Sequence, residues 1–458
     1  MRLATLLGPD LKATLATDPE ELREALEEFH PEDIAEVLSE LDGEDAVALM
    51  RVLPDDYAAQ VLERLDDEIR ARLLERMGTD QAATLLTEMS ADDRADAIQE
   101  LPEEVAEKIL DRLEKMEPEL AEEVRELVAY PADSAGGLMT TEYVALPPET
   151  KVWQAIEEVR TASQSRRAET ISYIYITAFD NKLVGVVSLR DLILADPGRE
   201  LAEIMTQNLV KVLPTSHQEE VARTIAKYDL SAVPVVDDQN RMIGLVTIDD
   251  VVDVVIEEAT EDAQRMGAVV PTDEAYFETD FWAFIRKRAT WLIVLFLGEL
   301  LTANVMKSYE AEMASALDLV LFIPLIISSG GNSGSQSSSL IIRAMAVGEV
   351  APRDWYKVFL REVGMGLTLG LILGVVGFAR VYFVGSHYSV PMSLAVSLSL
   401  VAIVTLGTLS GSLLPLAIKR VGLDPAVSST PFIASLVDVI GLALYFTVAN
   451  AILIAGAP

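Results

Sequence analysis

The sequence contains no cysteine and only three histidines, His30, His217 and His387, among its 458 residues. Disulfides, thiolate metal sites and thiol nucleophiles are therefore excluded, and a histidine-based transition-metal site is not expected. Basic side chains are also scarce, with 36 Lys and Arg against 73 Asp and Glu and a formal net charge of −37. Because a phosphate backbone attracts a basic face and repels an acidic one, the composition argues against nucleic acid as a partner.

The negative charge is unevenly distributed along the chain. Residues 1–130 hold 37 acidic and 13 basic side chains, residues 131–284 hold 27 and 12, and residues 285–458 hold 9 and 11. Half of all residues are apolar, and the last part of the chain is much the richest in long apolar runs. The sequence therefore predicts acidic domains in water followed by a nearly neutral domain in a membrane.

Five long apolar runs follow Thr290: residues 290–306, 316–346, 358–385, 391–418 and 427–455. Each can supply the roughly 20 residues that cross a hydrocarbon core about 30 Å thick. Five such segments in succession exceed what the core of a soluble domain needs. We therefore expect five transmembrane helices.

Basic residues flank these runs asymmetrically. They lie before the first run, between the second and third, and after the fourth: Arg286, Lys287, Arg288, Arg343, Arg353, Lys357, Arg361, Lys419 and Arg420. The other loops hold only Lys307 and Arg380. Positive charge favours the cytoplasmic side, so the N-terminus is expected inside and the C-terminus outside. Met1–Leu11 is too short for a cleavable signal, and we expect a multi-pass protein of the bacterial inner membrane.

Residues 30–114 contain an internal repeat. Turn-forming residues recur every twelve positions: Asp42, Pro54, Asp66, Gly78, Ser90 and Pro102. The amphipathic stretches between them allow about two helical turns each, and helices this short must stack on neighbours to bury an apolar face. The pattern predicts a helical solenoid with a largely solvated acidic surface.

A second repeat spans residues 137–254. Met139-Thr140 is echoed by Met205-Thr206, and the segment 183–193 (LVGVVSLRDLI) is echoed by 242–252 (MIGLVTIDDVV). This pattern closely resembles a tandem pair of CBS domains, which commonly bind adenosine nucleotides such as ATP. The resemblance implies nucleotide contacts at Ser188, Asp191, Thr247 and Asp250. A purely structural CBS pair remains the alternative.

Acidic residues inside the apolar runs are the main chemical signal of the membrane part. Asp438 lies deep in the fifth run, which contains no Lys or Arg to pair with, so it is a functional candidate facing a water-filled path. Glu299 in the first run could line the same path or bond a neighbouring helix. The second run contains the small polar stretch 328–339 (SSGGNSGSQSSS), which favours either close helix packing or exposure of carbonyls to a lumen.

Carboxylate, amide and carbonyl oxygens without sulfur or imidazole suit a hard cation. Mg²⁺ sheds its water reluctantly, so outer oxygens are expected to hold it through that water. A symmetric dimer would bring two Asp438 carboxylates to one axis and match a divalent charge. One carboxylate per chain leaves Na⁺ and a proton as alternatives.

The order of acidic repeat, CBS pair, connector and five spans resembles the MgtE family of bacterial magnesium channels and transporters. Residues 324–346, the loop containing 353–355 and residues 438–446 (DVIGLALYF) carry the match. The resemblance implies a homodimer in the lipid bilayer, a pore between subunits, and Asp438 holding hydrated Mg²⁺. It also implies a gate that closes when intracellular Mg²⁺ bridges the cytoplasmic domains.

The resemblance further assigns residues to the pore and to the gate. The implied pore-lining residues are Gly330, Gly331, Asn332, Gly334, Ser335 and Gly441. The implied regulatory Mg²⁺ ligands are Asp92, Asp96, Glu219, Asp229, Asp250, Asp253, Glu258, Glu261 and Asp262. Two positions depart from the family pattern, because His217 stands where relatives can have an acid and Ser335 stands where the pore motif has Asn.

The sequence thus predicts a multidomain membrane protein with an all-α helical-repeat domain, an α/β tandem CBS pair, a connecting helix and a five-helix transmembrane domain. The expected boundaries are 1–130, 131–200, 201–253, 254–284 and 285–458. We expect a Mg²⁺ importer driven by the inside-negative potential and closed by intracellular Mg²⁺. The alternatives are a secondary transporter or exporter of another divalent cation and a membrane-tethered nucleotide-sensing scaffold. An enzyme is not expected, because no convincing set of catalytic side chains is present in the last third.

Overall fold

The computed structural model describes residues 19–164, 170–272, 276, 279–310, 317–384 and 390–455. The chain divides into two compact units, Met1–Val255 and Ile256–Pro458. The expectation for Met1–Leu11 falls outside the described residues, as do residues 273–275, 277 and 278 of the predicted connector 254–284.

The N-terminal part of the first unit is a succession of short helices: α1 (Pro19–Leu26), α2 (Pro31–Glu40), α3 (Gly43–Met50), α4 (Asp55–Glu63), α5 (Asp67–Met77), α6 (Thr79–Glu88), α7 (Ala91–Gln99), α8 (Glu103–Met116) and α9 (Pro118–Val128). The six residues spaced twelve apart in the sequence are the N-cap residues of α3 to α8. The residue at an N-cap has non-helical backbone angles, which is why each of these positions interrupts the helical run. At Gly78 the backbone has a φ of 85°, a conformation that favours glycine.

Leucines spaced 12 or 13 residues apart lie in the core of this helical region. Leu49, Leu62, Leu74 and Leu86 are each fully buried, one from every successive helix. Isolated helices of 8 to 14 residues are marginal in water, and full burial of one such leucine contributes roughly 1.5–3 kcal/mol. The stacking of neighbours therefore stabilises helices that would not form alone.

The rest of the first unit contains two small sheets and the helices between their strands. In chain order the elements are β1 (Ala145–Leu146), α10 (Val152–Gln164), β2 (Tyr173–Ala178), β3 (Lys182–Ser188), α11 (Leu189–Leu194), α12 (Gln218–Tyr228), β4 (Ala232–Val236) and β5 (Met242–Thr247). In the first sheet β1 runs parallel to β2 and β2 antiparallel to β3. In the second sheet β4 and β5 pair antiparallel. A single parallel bridge from Val212 to Val235 repeats the β1–β2 arrangement, so each sequence copy forms the same small motif.

The Met-Thr segment that precedes each copy packs against a strand of the other copy. Thr140, which precedes the first sheet, exchanges two backbone hydrogen bonds with Leu245 of β5, and Thr206 does the same with Val186 of β3. A Cβ atom on Gly244 would lie 2.8 Å from the sulfur of Met139, and one on Gly185 would lie 2.5 Å from that of Met205. The glycine of each copy therefore accommodates the methionine that precedes the other.

A long helix, α13 (Ile248–Met266), follows β5 directly. It starts within the second repeat copy and includes the acidic segment that the sequence assigns to a connector from residue 254. The helix ends at Met266, as the sequence predicts, and Ala268 after it has a positive φ of 58°. The connector is therefore continuous with the CBS copy through one helix.

The second unit is formed by long helices: α14 (Phe281–Ser308), the short α15 (Leu317–Val320), α16 (Ile323–Ala346), α17 (Trp355–Val384), α18 (Val390–Arg420) and α19 (Thr430–Ala455). Helix α18 packs against α16, α17 and α19, and α14 packs against α19. Within the described residues, α14, α17, α18 and α19 contain the segments that are long and apolar enough to cross a membrane. The small polar residues of α16 lower its mean hydropathy, so the count of five spans stays a prediction.

Candidate functional site

The glycines of α16 lie where this helix crosses α18 and α19. A Cβ on Gly407 of α18 would lie 2.3 Å from the carbonyl oxygen of Gly330, and one on Gly411 would lie 2.1 Å from that of Gly334. Such distances leave no room for any side chain, so the two backbones touch through matched glycines. Gly441 of α19 faces the side chain of Ile403. Close helix packing therefore accounts for Gly330 and Gly334, whereas a Cβ on Gly441 would make only an ordinary contact, 3.5 Å from Ile403.

Asp438 lies on α19 beside α16 and α14. It follows the start of α19 by eight residues, or about 12 Å along the axis, and its side chain is partly buried. A Cβ on Gly331 would lie 3.8 Å from its Oδ1 atom, so the bare backbone of α16 faces the carboxylate. The carboxyl of Glu299 on α14 lies within hydrogen-bonding contact of Asp438. The sequence allows Glu299 either to line the path or to bond a neighbouring helix. The fold shows the second, because Glu299 of α14 contacts Asp438 of α19.

Two further polar residues of α16, Ser335 and Asn332, lie on different faces of the helix. The hydroxyl of Ser335 donates to the carbonyl oxygen of Thr430 at 3.5 Å, at the first residue of α19. Asn332 is exposed, and its amide donates to the hydroxyl of Ser328 one turn earlier at 3.4 Å. The face of α16 that carries Gly331 and Ser335 therefore points toward α19, whereas Asn332 faces outward in a single chain.

Sequence reasoning overlooked one buried acid of the membrane unit. Glu362 on α17 is only 4% exposed, and its Oε2 atom accepts a hydrogen bond from the hydroxyl of Ser337 at 3.1 Å. Its place at the start of the third apolar run, directly after Arg361, made it look like a flanking residue. The signal that could have revealed it was a carboxylate inside the run 358–385 rather than before it.

In the first unit, the acidic face of α7 meets the second CBS copy. Ala91 and Ala95 of α7 share a buried apolar cluster with Val251 and Val254 of α13. Burial raises the pKa of Asp93, and the carboxylate of Asp249 acts in the same direction. This packing places α7, which carries Asp92 and Asp96, beside the start of the helix that carries Asp250 and Asp253.

Asp92 and Asp96 occupy one face of α7, a helical turn apart. Asp92 is buried, and burial raises the pKa of Asp96 to about 7. Glu63 at the end of α4 and Glu100, the C-cap residue of α7, are affected in the same way, with burial raising each pKa to about 7. Carboxylates whose charged form is disfavoured to this extent favour a bound cation or proton.

The other predicted regulatory residues are distributed over α12 and α13. Glu219 in the first turn of α12 pairs with Arg223 at 3.0 Å, and Asp229 is the left-handed C-cap residue of the same helix. Asp253, Glu258, Glu261 and Asp262 all lie on α13. Glu261 pairs with Arg265, which also pairs with Asp424 in the loop before α19. Within the described residues, no three His, Asp or Glu side chains converge on one metal position.

The predicted nucleotide residues form the same hydroxyl–carboxyl bond in both copies. The hydroxyl of Ser188 donates to Asp191 at 2.7 Å and accepts from its backbone N–H at the start of α11. The hydroxyl of Thr247 donates to Asp250 at 2.6 Å at the start of α13. Each Ser/Thr-x-x-Asp step therefore places a hydroxyl and a carboxyl group at the start of a helix, where they suit a ligand that carries hydroxyl groups, such as a nucleotide.

His217 is one of the two positions at which the sequence departs from the family pattern. His217 is the N-cap residue of α12, where its Nδ1 atom accepts from the backbone N–H of Glu219 at 3.3 Å. Its Nε2 atom lies 3.5 Å from Asp133. The side chain therefore replaces the capping role of an acid without adding a carboxylate ligand.

Three family profiles match separate parts of the chain. The MgtE profile, described as a divalent cation transporter, matches residues 323–448. The MgtE intracellular N domain matches residues 29–133, and the CBS domain matches residues 135–198 and 201–257. These matches confirm the predicted fold class of a helical N-terminal domain, a CBS pair and a helical membrane region.

Similar proteins cover most of the chain. The magnesium transporter MgtE of Thermus thermophilus is 41% identical over 78% of this chain and 78% of its own length. The MgtE of Enterococcus faecalis is 36% identical over 72% of both chains. A solved cytosolic domain of the Mg²⁺ channel MgtE in complex with ATP is 42% identical and covers 55% of this chain and 100% of that chain, with a TM-score of 0.51. The soluble part of a magnesium transporter is 33% identical and covers 56% and 99%, with a TM-score of 0.52.

Proposed function

This chain belongs to the MgtE family of magnesium transporters, and we propose that Mg²⁺ crosses its membrane unit past Asp438. The observation that carries the proposal is the position of this acid, inside α19 and facing the bare backbone of Gly331. An acid placed there costs several kcal/mol unless it faces water or a partner. Membership in this family identifies a transporter and not a class of enzyme.

The proposed path handles Mg²⁺ with its water attached. Mg²⁺ is dehydrated reluctantly and is held by few carboxylates together with water, and the donors near Asp438 are backbone, hydroxyl and carboxyl oxygens. The membrane potential supplies ~2.3 kcal/mol per elementary charge per 100 mV, which doubles for a divalent ion. The chain has no GxxxxGK[ST] phosphate loop, so import down the electrochemical gradient is the mechanism that this sequence supports.

We also propose that two copies form the path. One Asp438 carboxylate carries half the charge of Mg²⁺, and a homodimer would place two at a shared axis. Helix α14 supports an interface role, because none of its residues is buried within a single chain. The expected location is the bacterial inner membrane, with the N-terminus inside and the C-terminus outside.

The gate is proposed to act through the contact between α7 and α13. Acids meet there, and burial already disfavours their charged forms by raising the pKa of Asp93 and of Asp96. Mg²⁺ at this contact would neutralise the acids and hold α7 against the second CBS copy. ATP is the proposed ligand of the CBS pair, through Ser188 and Asp191 in one copy and Thr247 and Asp250 in the other. An MgtE cytosolic domain with ATP bound supports this assignment.

Uptake in a bacterium that lacks its own Mg²⁺ transport tests the path. Asp438→Ala and Asp438→Asn should each lower Mg²⁺ uptake at least about 100-fold, because a neutral side chain no longer attracts the ion inside the membrane. Glu349→Gln, at an exposed loop acid of the same unit, is the matched control and should transport like wild type. Growth of both Asp438 variants at low Mg²⁺ equal to wild type would show that the ion takes another route.

Protease protection of the full-length protein tests the gate. Cleavage within residues 1–270 should fall as Mg²⁺ rises through the millimolar range. Asp92→Asn together with Asp96→Asn should shift the midpoint to higher Mg²⁺, whereas Glu103→Gln, an exposed acid of α8, should not. A cleavage rate that stays constant across the titration in the wild type contradicts the bridging model.

A further inference from the structure

Glu362 is a buried acid with no assigned role. It lies seven residues into α17 and is 4% exposed. Within the described residues it takes part in no ion pair with a lysine or arginine. Because a buried carboxyl group without hydrogen bonds is costly, its contacts indicate what keeps it in place.

Glu362 connects α17 to two other helices. Its Oε2 atom accepts from the hydroxyl of Ser337 on α16 at 3.1 Å, and Ser337 is itself buried. Its backbone carbonyl oxygen accepts from the hydroxyl of Thr408 on α18 at 3.3 Å. Helix α17 packs mainly on α18, so the carboxyl group reaches past this packing to a helix that α17 otherwise contacts little.

An apolar cluster near Glu362 joins the same three helices, α16, α17 and α18. Val358, one turn before Glu362, shares a buried cluster with Ile341 and Met345 of α16 and Leu416 of α18. Apolar contacts of this kind resist separation but not rotation, because they have no preferred direction. A hydrogen bond has a preferred direction, so the bond from Ser337 fixes how α16 is rotated.

The rotation of α16 matters for the face beside Asp438. Ser337 follows Ser335 by two residues, which is about 200° of helical rotation. Ser335 and Gly331 therefore face α19, whereas Ser337 lies on the opposite side of the helix. Two other hydroxyls of α16 bond elsewhere, Ser333 to the carbonyl oxygen of Val404 at 3.4 Å and Ser338 to that of Ser428 at 3.3 Å, so the bond from Ser337 is the one of these that ties α16 to α17.

We propose that Glu362 is a positioning residue of the ion path: its hydrogen bond with Ser337 holds α16 at the rotation that presents Gly331 and Ser335 to Asp438. This role rests on the proposed path past Asp438. Glu362 acts through α16 and has no contact with the ion. A carboxylate suits the role because hydrogen bonds to charged acceptors are stronger than those to neutral ones.

Three single substitutions and one double substitution test the role in full-length protein. Glu362→Ala and Ser337→Ala should each lower Mg²⁺ uptake about 10-fold or more, the effect of losing a buried hydrogen bond to a charged group. Glu362→Gln keeps an acceptor oxygen at the same place and should restore most of the uptake. The double variant Glu362→Ala/Ser337→Ala should be no slower than the slower single variant, because both remove one bond.

Ser333→Ala is the matched control. Ser333 lies one turn before Ser337, is buried, and donates to the backbone carbonyl of Val404 at 3.4 Å. It loses the same hydroxyl without touching Glu362, so uptake should fall less than in Ser337→Ala. The ratio of Mg²⁺ to Co²⁺ uptake should change in Glu362→Ala and Ser337→Ala and stay constant in Ser333→Ala, since Ser333→Ala leaves the bond from Ser337 to Glu362 in place.

The outcomes separate the positioning role from the path itself. If the Asp438 variants lose uptake while Ser337→Ala keeps wild-type uptake and ion ratio, the path stands and the positioning role is wrong. Failure of Glu362→Gln to raise uptake above that of Glu362→Ala, in protein with wild-type thermal stability, also contradicts the role, because the amide oxygen can still accept the bond from Ser337. If the Asp438 variants transport normally, the proposed path past Asp438 is wrong, whatever the Glu362 and Ser337 variants do.

Discussion

Acids of the helices are held differently in the two units. In the first unit Arg70 donates to Glu100 at 3.0 Å, and Arg94 donates to Glu123 at 3.2 Å, although burial raises the pKa of Asp96 and of Glu63 to about 7. In the described spans of the second unit, Asp438, Glu299 and Glu362 form no ion pair with a basic side chain. The first unit therefore balances part of its acidic charge with its own cations. The second leaves acids to be balanced by hydroxyls, by each other or by an ion in transit.

This difference follows from what each environment allows. In water-facing helices an arginine can bury its stem and keep part of its charge solvated, so buried pairs form readily. In a span, every additional charge is expensive, and a fixed arginine beside Asp438 would repel a cation. The absence of basic residues from the apolar run 427–455 that carries Asp438 is therefore what an ion path for cations requires.

The largest effect is expected at Arg94. This side chain is 2% exposed and donates to the carbonyl oxygens of Leu86 and Met89 as well as to Glu123. Arg94→Ala leaves buried acceptors and a carboxylate without their donor, and should cost about 3–5 kcal/mol in the unfolding free energy of the first unit. Calorimetric unfolding of the detergent-solubilised chain measures the change.

The control for Arg94 is Arg125→Ala. Arg125 pairs with Glu114, and both side chains are about half exposed. An exposed pair contributes about 0–1 kcal/mol, so this variant should unfold almost like wild type. Equal losses in the two variants would mean that burial does not distinguish these ion pairs.

The second effect concerns the close glycine contact between α16 and α18 in the membrane unit. Gly407→Ala adds a methyl group 2.3 Å from the carbonyl oxygen of Gly330. Overpacking of this kind should destabilise the membrane unit by about 1–3 kcal/mol and lower Mg²⁺ uptake by separating α16 from α18. Gly364→Ala on α17, with no atom within 4 Å of the added Cβ, is the control. Thermal unfolding in detergent should show a lower Tm only for Gly407→Ala.

The smallest effect is a pH dependence in the first unit. Burial raises the pKa of Glu142 to about 7, even though Arg94 lies 3.8 Å away. A raised pKa means that the folded state holds the proton more tightly than the unfolded state. The stability that this provides is complete below about pH 4.5 and is lost as pH rises through about 7.

Glu142→Gln removes this titration. The variant should therefore gain about 1–2 kcal/mol relative to wild type at pH 8 and nothing at pH 4.5. Thermal unfolding of the first unit at several pH values measures the difference. Glu157→Gln, at an exposed acid paired with Arg160, is the control. A gain that is the same at both pH values would show that charge on Glu142 is not the cause.

Some features of this protein followed from local sequence. The twelve-residue spacing placed every N-cap from α3 to α8, because a cap residue and an apolar face are both set by neighbours along the chain. The two Gly-hydrophobic-hydrophobic-Ser/Thr copies predicted the strand–helix steps at β3–α11 and β5–α13. The distribution of apolar runs and acids predicted the membrane part and singled out Asp438.

Other features depended on residues that are far apart in sequence. The exchange of Thr140 and Thr206 between the two CBS copies, the contact of Glu299 with Asp438, and the bond from Ser337 to Glu362 each join segments that no periodicity relates. Glu362 resembled an ordinary flanking acid in the sequence, and only the packing of α16, α17 and α18 buried it. Sequence determines which residues a helix presents on each of its faces, because that depends on local geometry alone. Which faces meet is decided by packing of the whole chain, since complementarity of shape and hydrogen bonding exists only between surfaces that the fold brings together.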